Sequence, residues 1–139
     1  MKVTFSIIGG AREMHPIVRD EVYRIGYEAI RNACVHSGAS QLEVEVVYAE
    51  DLTIRVADNG KGIDAEVATK GKEGHFGLPG MRERAARIGG KLALVTSPTS
   101  GTTISLVVPG RIIFRKPAAT PLRKIKKLLS GKRRSSNLD

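Results

Sequence analysis

The sequence predicts an α+β fold in which a mixed sheet is covered on one face by helices. Several short segments alternate apolar and polar residues, which is the pattern of half-buried strands. Two longer segments repeat apolar residues at about every third or fourth position, which is the pattern of helices with one buried face. The 139 residues, 41% of them hydrophobic, are enough for one domain with its own core.

The start of the chain is predicted to form one strand and one long helix. Residues 3–8 give the strand, which ends at a Gly-Gly pair. Pro16 then precedes a helix over residues 17–36, which a Ser-Gly pair ends. The apolar stripe of this helix consists of Val22, Ile25, Ala29, Ile30 and Ala33.

Two hairpins and a second helix are predicted in the remainder. The alternating patterns place the hairpin strands at residues 42–48, 52–56, 92–94 and 104–108. Leu78, Met81, Ala85 and Ile88 have the spacing of a short helix between the hairpins. Residues 58–77 are Gly-rich and polar without a clear period, and a loop this long in a compact domain is usually functional.

The net charge of +9 is confined to the end of the chain. Residues 1–110 contain 13 basic and 13 acidic residues, whereas residues 111–139 contain ten basic residues and one acidic residue. We therefore predict a domain at 1–110 and a basic, largely disordered tail at 111–139. A neutral domain argues against a nucleic-acid-binding fold. The tail is expected to be a solubilising terminus, with weak binding to nucleic acid or an acidic membrane as the alternative.

The sequence predicts a cytoplasmic location. Cys34 is the only cysteine, so no disulfide can form within the chain. No apolar run approaches the roughly 20 residues that span a bilayer, and the start of the chain is a poor signal peptide. The same features also fit the cytoplasmic end of a membrane-anchored sensor.

Three polar residues form a seam beside the buried face of the long helix. At about 100° per residue, Asn32 lies roughly 40° and His36 roughly 80° from Glu28. A carboxylate and an amide oxygen one turn apart can serve Mg²⁺, which prefers oxygen ligands, and can orient or accept a proton. A solvated helix face is the alternative, which the periodicity alone favours.

Two strand ends carry candidate ligand-binding residues. Asp58 follows a strand and precedes Gly60 and Gly62, which allow a ligand to approach the backbone closely. A plain Asn-Gly turn is the alternative. Gly101 and Thr102 open the last strand, where an ordinary turn is the better interpretation in isolation.

A further Gly-rich segment, residues 74–81, leads into the second helix. Such segments can bind phosphates at a helix N-terminus, and a flexible hinge is the alternative. The segment matches neither the P-loop nor the dinucleotide-binding fingerprint.

Together these motifs resemble the ATP-binding domain shared by histidine kinases, gyrase-type ATPases, Hsp90-type chaperones and MutL-type repair proteins. The N box, the G1 box, the G2 box and the final Gly-Thr correspond to residues 21–33, 58–62, 77–84 and 101–102. The sequence of the N box and the run Gly-Met-Arg-Glu-Arg resemble those of the nitrate-sensor-like branch of the histidine kinases. The resemblance covers about residues 1–109.

The resemblance implies a role for each matching position. Glu28 corresponds to the catalytic carboxylate near the γ-phosphate, and Asn32 to the magnesium-binding asparagine. Asp58 corresponds to the aspartate that accepts a hydrogen bond from the adenine amino group, and Thr102 to the threonine near adenine. The remaining implied nucleotide-binding residues are Gly60 and Gly62 in the adenine pocket and Gly77, Gly80 and Met81 of the G2 box.

The resemblance also implies the fold and the reaction. The fold is a two-layer α/β sandwich of the Bergerat type, with ATP between the long helix and a lid at about residues 64–76. The reaction is transfer of the γ-phosphoryl group of Mg-ATP to a histidine of a two-component sensor kinase. The implied partners are a phosphoacceptor histidine domain of the same or another chain and, indirectly, a response regulator.

The acceptor histidine is expected on a separate segment. His15 stands before Pro16 without a helical hairpin around it, so we expect a structural role for it. Without a dimerising hairpin we expect a monomer. His36 and Arg31 are expected near the phosphates from their positions on the helix.

Other functions remain open on the sequence. A serine kinase of the anti-sigma-factor type shares the nucleotide-binding fold, although Gly-Met-Arg-Glu-Arg argues against it. A gyrase- or MutL-like ATPase relies on a lysine from a following domain. A non-catalytic ATP-binding module with a nucleic-acid- or membrane-binding tail is the last alternative.

Overall fold

The computed structural model describes residues 1–64, 77–116 and 129. The strands in these residues are β1 (Lys2–Ile8), β2 (Gln41–Tyr48), β3 (Leu52–Asp58), β4 (Lys91–Ser97) and β5 (Gly101–Val108). The helices are α1 (Pro16–His36), α2 (Leu78–Arg87) and α3 (Gly110–Ile113). No helix within these ranges is long and apolar enough to cross a membrane.

The strands form one mixed sheet in the order β1-β2-β3-β5-β4. β1 and β2 are parallel, and α1 provides the long crossover that a parallel pair needs. The other neighbouring pairs are antiparallel. The predicted α+β fold with a mixed sheet is therefore confirmed.

The core lies between one face of the sheet and the helices α1 and α2. Of the predicted stripe on α1, only Ile30 is partly rather than fully buried. The buried residues opposite it on the sheet and on α2 include Leu42, Val44, Val56, Ile104, Leu106, Leu78, Met81 and Ala85. Burial of this stripe places Glu28 and Asn32, which follow one side of it, at the border between the core and the surface.

The edge strand β1 contributes little to this core. Val3, Phe5 and Ile7 pair in register with β2 residues on the helix-covered face of the sheet. They are nevertheless 57%, 61% and 58% exposed. The reason is that α1 packs mainly on β3 and α2, which leaves most of the edge strand uncovered.

The packed chain continues past residue 110, where the sequence predicts the end of the domain. Ile113 is 0% exposed and Phe114 is 5% exposed. Met14 and Phe114 form a β-bridge, and the backbone N–H of His15 donates to the carbonyl of Ile113 at 2.9 Å. Most of the predicted tail, residues 117–128 and 130–139, lies outside the described residues.

Candidate nucleotide-binding site

A cavity lies between α1 and one end of the sheet, where the last residues of β3 meet the first residues of β5. Four predicted site residues line it together, namely Asn32, Asp58, Gly62 and Thr102. The remaining lining residues are Ala29, His36, Ser37, Val56, Lys61, Ile63 and Ile104. The enclosed space is about 10 Å³, roughly that of one water molecule. A purine ring is larger than this space, which is partly open to the surface.

Asp58 is the last residue of β3, and strand register sets its position. It pairs with Leu42 on one side and with Thr102 on the other. Its Oδ1 accepts a hydrogen bond from the backbone N–H of Gly60 at 2.9 Å. Its Oδ2 accepts no hydrogen bond from any residue that the structure describes. The carboxylate thus holds the following turn with one oxygen and offers the other as an acceptor for an amino group.

The two glycines after Asp58 allow the loop to pack closely against other parts of the protein. A Cβ added to Gly60 would overlap the backbone of Ser37 at the end of α1. A Cβ added to Gly62 would overlap the backbone of Ser97 at the end of β4. Their first role is therefore to let the loop lie against its neighbours, which brings Asp58 and Gly62 to the same cavity.

Asn59 ties this loop to the turn between α1 and β2, a role that the sequence analysis missed. Its Oδ1 accepts hydrogen bonds from the backbone N–H groups of Ser40 at 3.0 Å and Gln41 at 2.9 Å. Its Nδ2 donates to Oγ of Ser40 at 2.9 Å. The Asn-Gly pair had suggested a turn, but nothing in the linear pattern indicated its partners.

Thr102 belongs to a short hydrogen-bonded chain beside the cavity. Its Oγ1 lies 2.9 Å from Oγ1 of Thr96, its register partner on β4. Oγ1 of Thr96 also accepts a hydrogen bond from the backbone N–H of Ile63 at 2.7 Å. Thr96 was not among the predicted site residues, although its place in the β4–β5 hairpin was the available signal. The chain fixes the Thr102 hydroxyl and the loop after Asp58 together.

Asn32 brings an amide oxygen into the cavity from α1. The residue is 5% exposed. Its Oδ1 is a buried atom that accepts no hydrogen bond within the described part of the chain. An amide oxygen is a suitable ligand for Mg²⁺, which commonly keeps waters and phosphate oxygens as its other ligands. The residue type and its position therefore fit a magnesium ion bound with a nucleotide.

Glu28 lies one turn before Asn32 on α1 and borders a different space. A Cβ added to Gly77, at the start of α2, would lie 3.0 Å from Oε2 of Glu28. The Gly77 backbone has the left-handed φ of 59° that favours glycine. Glu28 also lines an open cleft with Tyr23, Tyr27 and two arginines. The structure thus separates Glu28 from the cavity that contains Asp58.

The other two predicted residues of the G2 box have different surroundings. A Cβ added to Gly80 would meet nothing within 4 Å. The Met81 side chain is 1% exposed and packs in the core, and the nucleotide contact implied for this residue stays a prediction. Most of the predicted lid, residues 65–76, lies outside the described residues.

The family model of the histidine kinase-, DNA gyrase B- and HSP90-like ATPases matches residues 17–112. The chain belongs to this family. Its relatives include the signal transduction histidine-protein kinase/phosphatase DegS of Brevibacillus brevis, 37% identical over 108 residues. They also include the sensor protein VraS of Staphylococcus epidermidis, 40% identical over 93 residues. The predicted resemblance to the histidine kinases is therefore confirmed.

The chain corresponds to one part of these relatives. The match with DegS covers 77% of this chain and 27% of DegS, and the match with VraS covers 66% and 26%. Among solved structures, the catalytic domain of the histidine kinase ThkA superposes with a TM-score of 0.64 at 16% identity, covering 78% of this chain and 77% of that chain. Full-length ShkA with AMPPNP gives a TM-score of 0.66 at 13% identity, covering 84% and 26%. These similarities show the shared fold.

Proposed function

We propose that this chain binds Mg-ATP and donates its γ-phosphoryl group to a histidine on a separate phosphoacceptor segment. The phosphoryl group then passes from this histidine to a response regulator. The observation that carries the proposal is the Asp58 carboxylate. It has an oxygen without a partner among the described residues, and it shares a cavity with Asn32 and Thr102.

Asp58 is proposed to recognise adenine. Its Oδ2 accepts a hydrogen bond from the exocyclic amino group, while Oδ1 keeps its bond to the Gly60 N–H. The Thr102 hydroxyl, held by Thr96, provides a second polar contact to the base or to a bridging water. Gly60 and Gly62 keep the loop tight enough to present both groups to one ring.

Asn32 and Glu28 are proposed to serve the phosphate end of the nucleotide. Asn32 holds Mg²⁺ through its amide oxygen, and the bound ion neutralises charge on the phosphates. The lone pair of the acceptor imidazole forms the bond to the γ-phosphorus as the bond to the ADP oxygen breaks. Glu28 orients the imidazole and accepts the proton from its other nitrogen. Gly77 and Gly80 keep the start of α2 open beside this region.

Calorimetric titration of ATP, with and without magnesium, tests the nucleotide part of the proposal. Asp58→Asn keeps an oxygen for the Gly60 N–H but replaces the second acceptor with a donor. We expect ATP affinity to fall at least about 100-fold, because a buried donor would face the adenine amino group. Asp20→Asn, on the exposed side of α1, is the matched control. Full affinity in the Asp58 variant would exclude the assigned pocket.

Magnesium binding and the acceptor are tested separately. Asn32→Asp is expected to preserve the fold and to change the magnesium dependence of both ATP binding and phosphoryl transfer. An unchanged magnesium dependence would show that Asn32 is not the magnesium ligand. The product on a supplied acceptor domain is expected to be acid-labile phosphohistidine. Acid-stable phosphoserine would support the serine-kinase alternative instead.

A further inference from the structure

An open cleft of about 360 Å³ lies on the exposed side of α1, next to α2. Among the residues that the structure describes, its lining includes Tyr23, Arg24, Tyr27, Glu28 and Arg84. The proposed binding of ATP uses only Glu28 among these residues. The cleft therefore contains two aromatic and two basic side chains to which the proposed binding of ATP assigns no role.

The two tyrosines are the main apolar surface of the cleft. Tyr23 and Tyr27 are 57% and 67% exposed. They lie four residues apart on α1, so their side chains are neighbours on one face of the helix. Paired tyrosines beside arginine are typical of residues that dominate protein–protein binding energy.

The arginines give this surface its charge preference. Arg24 is exposed, and its side chain makes no hydrogen bond or ion pair with any residue that the structure describes. Arg84 bridges to Glu21 at 3.5 Å, and its side chain is 33% exposed. An acidic side chain on a partner could form an ion pair with Arg24 at the rim of the cleft.

The position of Glu28 indicates which polypeptide segment would bind in the cleft. Its carboxylate lies in the wall of the cleft and also beside the Gly77 backbone. A segment seated on the tyrosines would therefore present its side chains directly to the proposed phosphoryl-transfer end of the nucleotide.

We propose that this cleft, defined by Tyr23, Arg24, Tyr27 and Arg84, is the docking surface for the polypeptide segment that carries the acceptor histidine. An apolar side chain of that segment packs between the two tyrosines, an acidic side chain pairs with Arg24, and the histidine reaches Glu28. This inference rests on the proposed kinase function and adds the surface that selects the acceptor.

The test measures phosphoryl transfer from this chain to the purified acceptor domain of the Brevibacillus brevis relative, over a range of acceptor concentrations. The variants are Tyr27→Ser and Arg24→Glu. Phe5→Ser is the matched control, because Phe5 is an equally exposed aromatic residue on the distant strand β1. Circular dichroism and ATP calorimetry on every variant report folding and nucleotide binding independently of transfer.

We expect Tyr27→Ser and Arg24→Glu to raise the acceptor KM by at least about tenfold while the ATP Kd stays within about twofold. Arg24→Glu should also reduce or reverse the salt dependence of the acceptor KM, because attraction to the partner's acidic side chain is replaced by repulsion, which salt screens. Phe5→Ser should leave both constants unchanged.

Three other outcomes overturn the inference in distinguishable ways. An unchanged acceptor KM in both variants means that the acceptor docks elsewhere, while the kinase function stands. A lower kcat with an unchanged KM means that the cleft acts on the chemical step and not on docking. ATP binding by the wild-type chain without transfer to the acceptor domain removes the kinase function and the docking surface together.

Discussion

The carboxylate of Glu28 lies against the backbone of Gly77, where an added Cβ would come within 3.0 Å of Oε2. Gly77 also has a φ of 59°, a backbone conformation that favours glycine. The proposed catalytic side chain therefore lies against a position where glycine is preferred for two reasons. The positions of the Glu28 carboxylate on α1 and of the Gly77 backbone at the start of α2 are therefore linked.

Gly77→Ala should both destabilise the fold and reduce transfer. A left-handed backbone costs a residue with a Cβ about 1–2 kcal/mol, and the new methyl group would displace the Glu28 carboxylate. Urea unfolding and a transfer assay measure the two effects. Gly80→Ala is the stability control, because its Cβ meets open space in a helix and should leave stability equal or higher by about 0.5–1 kcal/mol. Equal stabilities for the two alanine variants would contradict this interpretation of Gly77.

Thr96→Val should weaken nucleotide binding although residue 96 has no predicted contact with ATP. The change leaves the N–H of Ile63 without its acceptor and releases the Thr102 hydroxyl. Loss of a partner from a buried polar group costs about 1–3 kcal/mol. We expect lower stability in urea and a higher Kd for ATP. Thr4→Val, on the exposed edge strand, should change neither, and a wild-type Kd for the Thr96 variant would exclude this role.

Asn59→Ala should loosen the loop that holds Asp58. The substitution removes the hydrogen bonds to Ser40 and Gln41, each worth about 0.5–1.5 kcal/mol. The expected result is faster hydrogen exchange at the N–H groups of Ser40 and Gln41, together with weaker ATP binding. Unchanged exchange at both amides would show that the loop is held by other contacts.

The sequence predicted the helix α1 and the strand hairpins well because their information is local. The stripe on α1 follows from residue spacing, and strand alternation located both hairpins. Asp58 became a candidate because a strand end followed by glycines is a recognisable local pattern, and the resemblance then implied its role at adenine. The partnership of Asp58, Thr102 and Thr96 depends on the register of three strands, which no single segment encodes.

The two kinds of sequence signal disagreed at Met81. Helical spacing grouped it with Leu78 and Ala85 as a core residue, whereas its place in the G2 box implied a contact with the nucleotide. The structure buries its side chain at 1% exposure, which confirms the core position expected from the spacing, while the implied nucleotide contact stays a prediction. Conversely, the helical spacing leaves Tyr23 and Tyr27 outside the apolar stripe, but the cleft that they share with Arg84 depends on how α2 packs on α1.

Two truncations test how far the folded domain extends. A chain ending at residue 116 should unfold at the same urea concentration as the full chain and bind ATP with the same affinity. A chain ending at residue 110 loses the buried side chains of Ile113 and Phe114. Each such loss costs about 2–5 kcal/mol, so this shorter chain should be severely destabilised. Equal stability of the two truncations would show that the packing of residues 111–116 contributes nothing to the stability of the fold.

The truncation at residue 116 also tests the basic tail. If salt-sensitive binding to DNA or anionic vesicles is found for the full chain, it should disappear in the chain ending at 116. Binding that persists in the shorter chain would mean that the domain surface, not the basic tail, is responsible.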